Sequence, residues 1–227
     1  MRLLLLLLAV TAAGLDAAAQ AEPRSQGSHR IEVTLERLEK TEWRAVDPGL
    51  VFNSDDRVRF RIRTDFDGYL YVMNQGTTGR YTLLFPGDET GRENDIKAGK
   101  EYLVPATQAW FRIGGPPGHD VVYWLVSPVV LSGPGHEPPA PPPQANRPLQ
   151  KLMPRCDDAL LRARGACIDS SAGLRGIPDQ SPLPENLAQI SGASRDLVII
   201  RKENLSVISS PMPLQEPVIY EFRLAHR

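Results

Sequence analysis

Ile31, Val33 and Leu35 alternate with Glu32, Thr34 and Glu36, the period of two that a strand with one face in a core requires. Val58, Phe60 and Ile62 alternate in the same way with Arg57, Arg59, Arg61 and Arg63. Alternate side chains line one side of a strand, so the four arginines share a face. Asp65 to Gly68 reads as a turn, Tyr69 to Asn74 as a strand, Gln75 to Gly79 as a loop and Arg80 to Phe85 as a returning strand, which makes a hairpin. Pro86-Gly87-Asp88 stops that strand, and the polar stretch through Lys97 reads as loop. Ala109 to Ile113 and Asp120 to Ser127 follow as strands, separated by the turn signal Gly114-Gly115-Pro116-Pro117-Gly118.

The composition changes abruptly from Ser132 to Pro148, with Pro138-Pro139-Ala140-Pro141-Pro142-Pro143 at the centre. This is an extended linker or exposed loop at 132–148. Its alternative role is a proline-rich ligand for an aromatic groove. Pro154 to Arg164 and Leu183 to Ile190 have helical character, and strand character returns at Leu197 to Arg201, Ser206 to Ser209 and Val218 to Leu224. No repeat of fixed period is visible. The expected fold is mainly β, an antiparallel sandwich with a proline-rich, partly helical insertion. Its core is 22–131, a disulfide-bearing, partly helical segment spans 149–194, and strands at 195–227 return to the sandwich. Tyr220, Phe222 and Leu224 in the last strand need a core to bury them, and the helical segment is too small to supply one.

The chain opens with Met1-Arg2, an apolar run from Leu3 to Val10, and small residues leading to Ala19-Gln20-Ala21. That is the pattern of a cleavable signal peptide over residues 1–21, with Ala17-Ala18-Ala19 offering a second cleavage site. The run is too short to cross about 30 Å of hydrocarbon. No later segment is long and apolar enough to span, so the mature chain is expected to be soluble and periplasmic or extracellular. Cys156 and Cys167 are the two cysteines, and an oxidising compartment favours pairing them. Cleavage removes Arg2 and Asp16 and leaves the formal net charge at −1, a balance that does not advertise nucleic acid. Roughly 200 residues remain, enough for one large β domain or two small ones.

Catalytic patterns are missing at the level of local sequence. His29, His119, His136 and His226 stand apart, and His136-Glu137 lacks a second histidine at helical spacing. Asp65-Phe66-Asp67-Gly68 is a fragment of a calcium loop without its remaining ligands and is expected to be a turn. Asp55-Asp56 reads as a turn, and Asp157-Asp158 as a helix start. No cofactor or metal site is read. Two thiolates alone do not make a zinc site. Asn204-Leu205-Ser206 is a glycosylation sequon wherever the host uses it.

The arginine face of Arg57, Arg59, Arg61 and Arg63 is the most unusual surface feature. It either holds an anionic polymer or headgroup, or pairs across strands with carboxylates such as Glu32 and Glu36. If it holds an anion, changing Arg59 and Arg61 to glutamine is expected to weaken binding and leave stability nearly unchanged. Trp43, Trp110, Trp124, Tyr69 and Tyr71 are expected to fill the core, with a stacking surface as the alternative.

From Asp67-Gly68-Tyr69-Leu70-Tyr71-Val72-Met73-Asn74-Gln75, through Leu84-Phe85-Pro86, Asn94, Ile96, Ala98-Gly99, Pro105 and Phe111, to Pro117-Gly118 and Asp120, the chain resembles a bacterial family, the domain of unknown function 4384. The similarity covers roughly 50–131, and Arg195-Asp196-Leu197 and Val218 to His226 resemble segments downstream in some members. The resemblance implies an extracytoplasmic β-rich accessory module and transfers no catalytic residue. The expected function is non-catalytic binding of a protein or cell-envelope polymer. The alternatives are a carboxylate-dependent hydrolase of an envelope polymer, whose acid pair assembles only in space, and a structural envelope component.

Overall fold

The computed structural model describes residues 29–128, 131, 153–163, 165–177, 187, 197–210 and 217–227. The expected signal peptide, the proline-rich segment and all of the expected helix at 183–190 except Leu187 lie outside them. The described strands form two antiparallel sheets. The first contains β1 (His29–Glu39), β2 (Glu42–Ala45), β3 (Arg57–Thr64), β7 (Glu101–Val104), β8 (Phe111–Arg112), β11 (Val198–Lys202) and β12 (Leu205–Ser210). Its order is β11-β12-β1-β3-β7, with β2 beside β1 and β8 beside β3. The second contains β4 (Gly68–Gln75), β5 (Tyr81–Phe85), β6 (Asp95–Ile96), β9 (Gly118–Ser127), β10 (Gly173–Arg175) and β13 (Val218–His226). Its order is β10-β13-β9-β4-β5, with β6 beside β4.

The two sheets close on one core. Val33, Leu35, Phe60 and Ile62 from the first pack with Leu70, Val72, Trp124, Tyr220 and Phe222 from the second. The Phe60 ring meets Trp124 edge-on at 4.9 Å and Phe222 at 5.2 Å, the arrangement aromatic quadrupoles favour. Gly68 opens β4 because a Cβ there would lie 2.6 Å from the Ser127 carbonyl oxygen on β9. The Tyr220 hydroxyl is fully buried with no hydrogen-bond partner among the described residues, and burial pushes its phenol well above the ordinary range. Removing an unpaired buried hydroxyl relieves its desolvation cost. Tyr220→Phe is therefore expected to raise stability by about 1 kcal/mol, read as a higher urea midpoint at unchanged slope.

The second sheet is buried on both faces. Tyr71, Met73, Tyr123, Leu125 and Ile219 point away from the shared core and form a second apolar cluster, which Leu187 joins and against which Leu131 and Ile177 pack. This explains why β4, β9 and β13 read as nearly continuous apolar runs while β1 and β3 alternate. The segment after β9 thus contributes cover for a sheet.

Cys156 and Cys167 are joined in a disulfide. Val51 N donates to the Cys167 carbonyl at 2.8 Å, and Cys167 packs against Val51, Ala172 and Ala225, so the bridged loop is fastened to the sandwich. The helix expected from Pro154 to Arg164 is confined to α1 (Ala159–Ala163). Gly165, beyond α1, has a φ of +82°, outside right-handed helical geometry. The polar stretch expected to be loop through Lys97 contains β6, which pairs with Gly68 and Tyr69. Ala109 to Ile113 shortens to the two residues of β8, and β2, β7 and β10 are additional short strands. Among the described residues no helix is long and apolar enough to cross a membrane.

Candidate functional site

The first sheet turns its outer face, with the arginines of β3, away from the core. The β1–β3 register sets Glu36 opposite Arg59, Thr34 opposite Arg61 and Glu32 opposite Arg63. Glu36 is 4% exposed. It accepts from Arg59 Nε at 2.6 Å and from an Arg61 guanidinium nitrogen, and Arg61 also reaches Glu101 at 3.1 Å. The Arg59 guanidinium lies over the Trp43 ring, 4.4 Å from its centroid. Arg59 and Arg61 are therefore the counter-charges of a buried carboxylate. Gln replacement of both is expected to lower stability, because it leaves the nearly buried Glu36 carboxylate without either counter-charge.

The other two arginines are placed differently. Arg57 lies over the Trp110 ring at 4.6 Å, and its cross-strand partner on β8 is another cation, Arg112. Arg63 makes no ion pair among the described residues, since Glu32, its expected partner, is engaged by Arg30 at 2.6 Å. It lines a cleft of about 380 Å³ with Arg30, Glu32, Thr64, Asp65 and Gly99. Cross-strand pairing with carboxylates thus describes the middle of the row and fails at both ends. The aromatic expectation divides likewise. Trp124 and Tyr71 are buried, Tyr69 and Trp43 are partly buried, and Trp110 is 42% exposed.

A second polar cluster joins residues that lie far apart in the chain. Asp169 accepts from Arg155 N at 2.8 Å and from Ser171 Oγ at 2.6 Å, and lies 3.2 Å from His119 Nε2. Burial alone pushes the Asp169 carboxyl up, but the Ser171 and Arg155 hydrogen bonds and the His119 ring outweigh it and hold it below the usual range. Ser171 Oγ is 3.5 Å from the same His119 Nε2. A nucleophile relay needs one imidazole nitrogen on the serine and the other on the acid. Here one nitrogen faces both, and the serine proton goes to the aspartate. The arrangement ties the disulfide segment to β9. Asp65 and Asp67 are also structural: Asp65 accepts from Arg30 N at 2.8 Å and Asp67 from Ala98 N at 2.9 Å. Among the described residues no group of His, Cys, Asp and Glu side chains is placed to hold a metal ion.

On the covered face of the second sheet, Glu221 is 3% exposed and 2.7 Å from Arg223. Burial pushes its carboxyl up, opposed by Arg223 and Arg175. Burial and the Glu221 charge also push the Tyr123 phenol up to about 12, so it remains a donor, to Gln75 Oε1 at 3.3 Å. An acid whose folded-state pKa is raised contributes stability that is fully present below its unfolded pKa and is lost as pH rises through the folded one. Glu221→Gln is thus expected to gain on the native chain as pH rises above about 4.5. Urea midpoints at successive pH values check this, and a gap that stays constant or narrows would refute it.

The four arginines, Trp110 and Arg112 all fall within one segment. Residues 51–129 match a family model described as a domain of unknown function (DUF4384). The resemblance read from the sequence holds over that segment. Nothing among curated proteins or solved structures matches the chain. The DUF4384 segment contains β3 to β9, and its sheets are completed from outside it by β1 on β3 and β13 on β9. Glu36 and Trp43, which hold Arg59, also come from outside.

Sequence reasoning singled out the arginine row and ranked a stacking surface below core filling for the tryptophans, without pairing Trp43 and Trp110 with the arginines they carry. The available signal was the polar setting of Trp43, between Glu42 and Arg44, and of Trp110, two residues before Arg112. Nothing local announces the Asp169 tie.

Proposed function

We propose that this chain is an exported, non-catalytic binding module that recognises an anionic partner in the cell envelope through the outer face of its first sheet. The observation that carries the reading is the pair of arginines at the ends of the row, Arg57 over Trp110 and Arg63 at its mixed-charge cleft, which make no ion pair among the described residues while Arg59 and Arg61 are assigned to Glu36. A guanidinium stacked on a ring keeps its N–H edge free to receive an anion, and stacking holds it in one orientation before binding. The apolar run at residues 3–10 and the disulfide support placement in an oxidising compartment outside the cytoplasm.

Crosslinking in the native envelope tests the proposal. The chain carrying Arg57→Gln and Arg63→Gln is expected to keep its thermal midpoint, lose most of its recovered partner and show a flatter salt dependence. Recovery of the same partner at the same yield would refute it, as would turnover of that partner by the purified chain.

A further inference from the structure

Arg57 and Arg112 are direct cross-strand partners on one face, where like charges destabilise a sheet. The carboxylate described within reach is Asp55, which is 3.5 Å from Arg112 and has a side chain 77% exposed. It contacts Arg112 and not Arg57. Beside this pair Trp110 keeps 42% of its surface exposed, more than a tryptophan placed for packing retains, with one ring face occupied by the Arg57 guanidinium. Two cations with one solvated counter-charge and an exposed ring make a corner whose charge is balanced only when an anion sits in it.

We infer that this corner takes a carboxylate-bearing polysaccharide, a reading that rests on the proposal that the arginine face binds an anionic partner. The N–H edge of Arg57, together with that of Arg112, whose long contact to the exposed Asp55 can be exchanged, matches the planar, two-oxygen geometry of a carboxylate. The exposed part of the Trp110 ring offers a flat apolar surface to the C–H face of a sugar ring, while the sugar's hydroxyl rim stays in water. Arg57 and Arg59 lie on the same face of β3 two residues apart, about 7 Å along the strand. The second stack, Arg59 on Trp43, thus continues the surface across the sheet, as an extended polymer requires and a single small anion does not.

Binding of the full chain, immobilised at moderate salt, to polygalacturonate, polyphosphate and neutral dextran tests the inference. Polygalacturonate is expected to bind and dextran not to bind. Trp110→Ala is expected to lower polygalacturonate affinity about tenfold and polyphosphate affinity by a smaller factor, since both lose the platform that orients Arg57 and only the glycan also loses its stacking surface, with Trp110→Phe retaining most of the polygalacturonate binding. Arg57→Gln with Arg112→Gln is expected to lower affinity for both anions. Binding of polyphosphate without polygalacturonate, or indifference of polygalacturonate to Trp110→Ala, overturns the glycan inference and leaves the anionic-partner reading standing. Failure to bind either anion, or binding indifferent to the arginine changes, overturns both.

Discussion

Replacing Arg59 and Arg61 together by glutamine is expected to destabilise the chain by about 3–5 kcal/mol, the cost of leaving a buried ion without its partners. Glu36 is the reason. Its side chain is 5% exposed, it lies in the middle of the first sheet, and both of its ion-pair partners are on β3. Each single replacement leaves one arginine and is expected to cost less than half as much, because the carboxylate keeps a counter-charge. The effect is read as a fall in thermal midpoint of roughly 10 °C for the double variant. Adding Glu36→Gln is expected to restore most of it, since burying a neutral group without the charge removes the penalty. A double variant as stable as the native chain would show that the triad carries no net burden of this kind. Because Arg57 and Arg63 are not tied to Glu36, the same measurement on Arg57→Gln with Arg63→Gln separates surface from scaffold.

The division between those two pairs of arginines was not legible in the sequence, although the row itself was. Alternation from Arg57 to Arg63 fixes which side chains share a face, and the alternation of β1 fixes Glu32 and Glu36 as their neighbours. It does not fix register, and a shift of two residues keeps every face and changes every partner. The actual register sets Glu36 against Arg59 and lets Glu32 pair with Arg30 within its own strand. Strands buried on both faces hid more. Tyr69 to Asn74 shows no alternation because Tyr71 and Met73 on one side and Leu70 and Val72 on the other are all covered. Such a run identifies a strand without saying what lies on either face. Short edge strands such as β2, β7 and β10 have three or four residues each, too few for a period to register. The tie of His119 to Asp169 spans 50 residues and depends on the disulfide segment docking beside β9. That is a tertiary event with no local pattern behind it.

A chain ended at residue 131 is expected not to fold, even though it contains the whole DUF4384 match. The missing β13 is an interior strand, placed between β9 and β10. It pairs with β9 from Val218 opposite Val126 to His226 opposite Gly118. Its removal exposes the β9 edge, where Trp124 and Val122 then meet solvent, and an open apolar edge of that length invites association. Val218, Tyr220, Phe222 and Leu224 leave the shared core with it. At about 2 kcal/mol for each buried apolar side chain, their loss is comparable to the entire stability of an ordinary domain, about 5–15 kcal/mol. The same truncation removes β12 from the other side of β1, from His29 opposite Ser210 to Thr34 opposite Leu205. Both sheets therefore lose two strands at once, β11 and β12 from the first and β10 and β13 from the second. Size-exclusion chromatography and thermal unfolding of the 22–131 fragment check this, with aggregation or an uncooperative transition expected. A monomeric fragment that unfolds cooperatively would show that residues 22–131 hold a self-sufficient core and that the C-terminal strands are an addition to it.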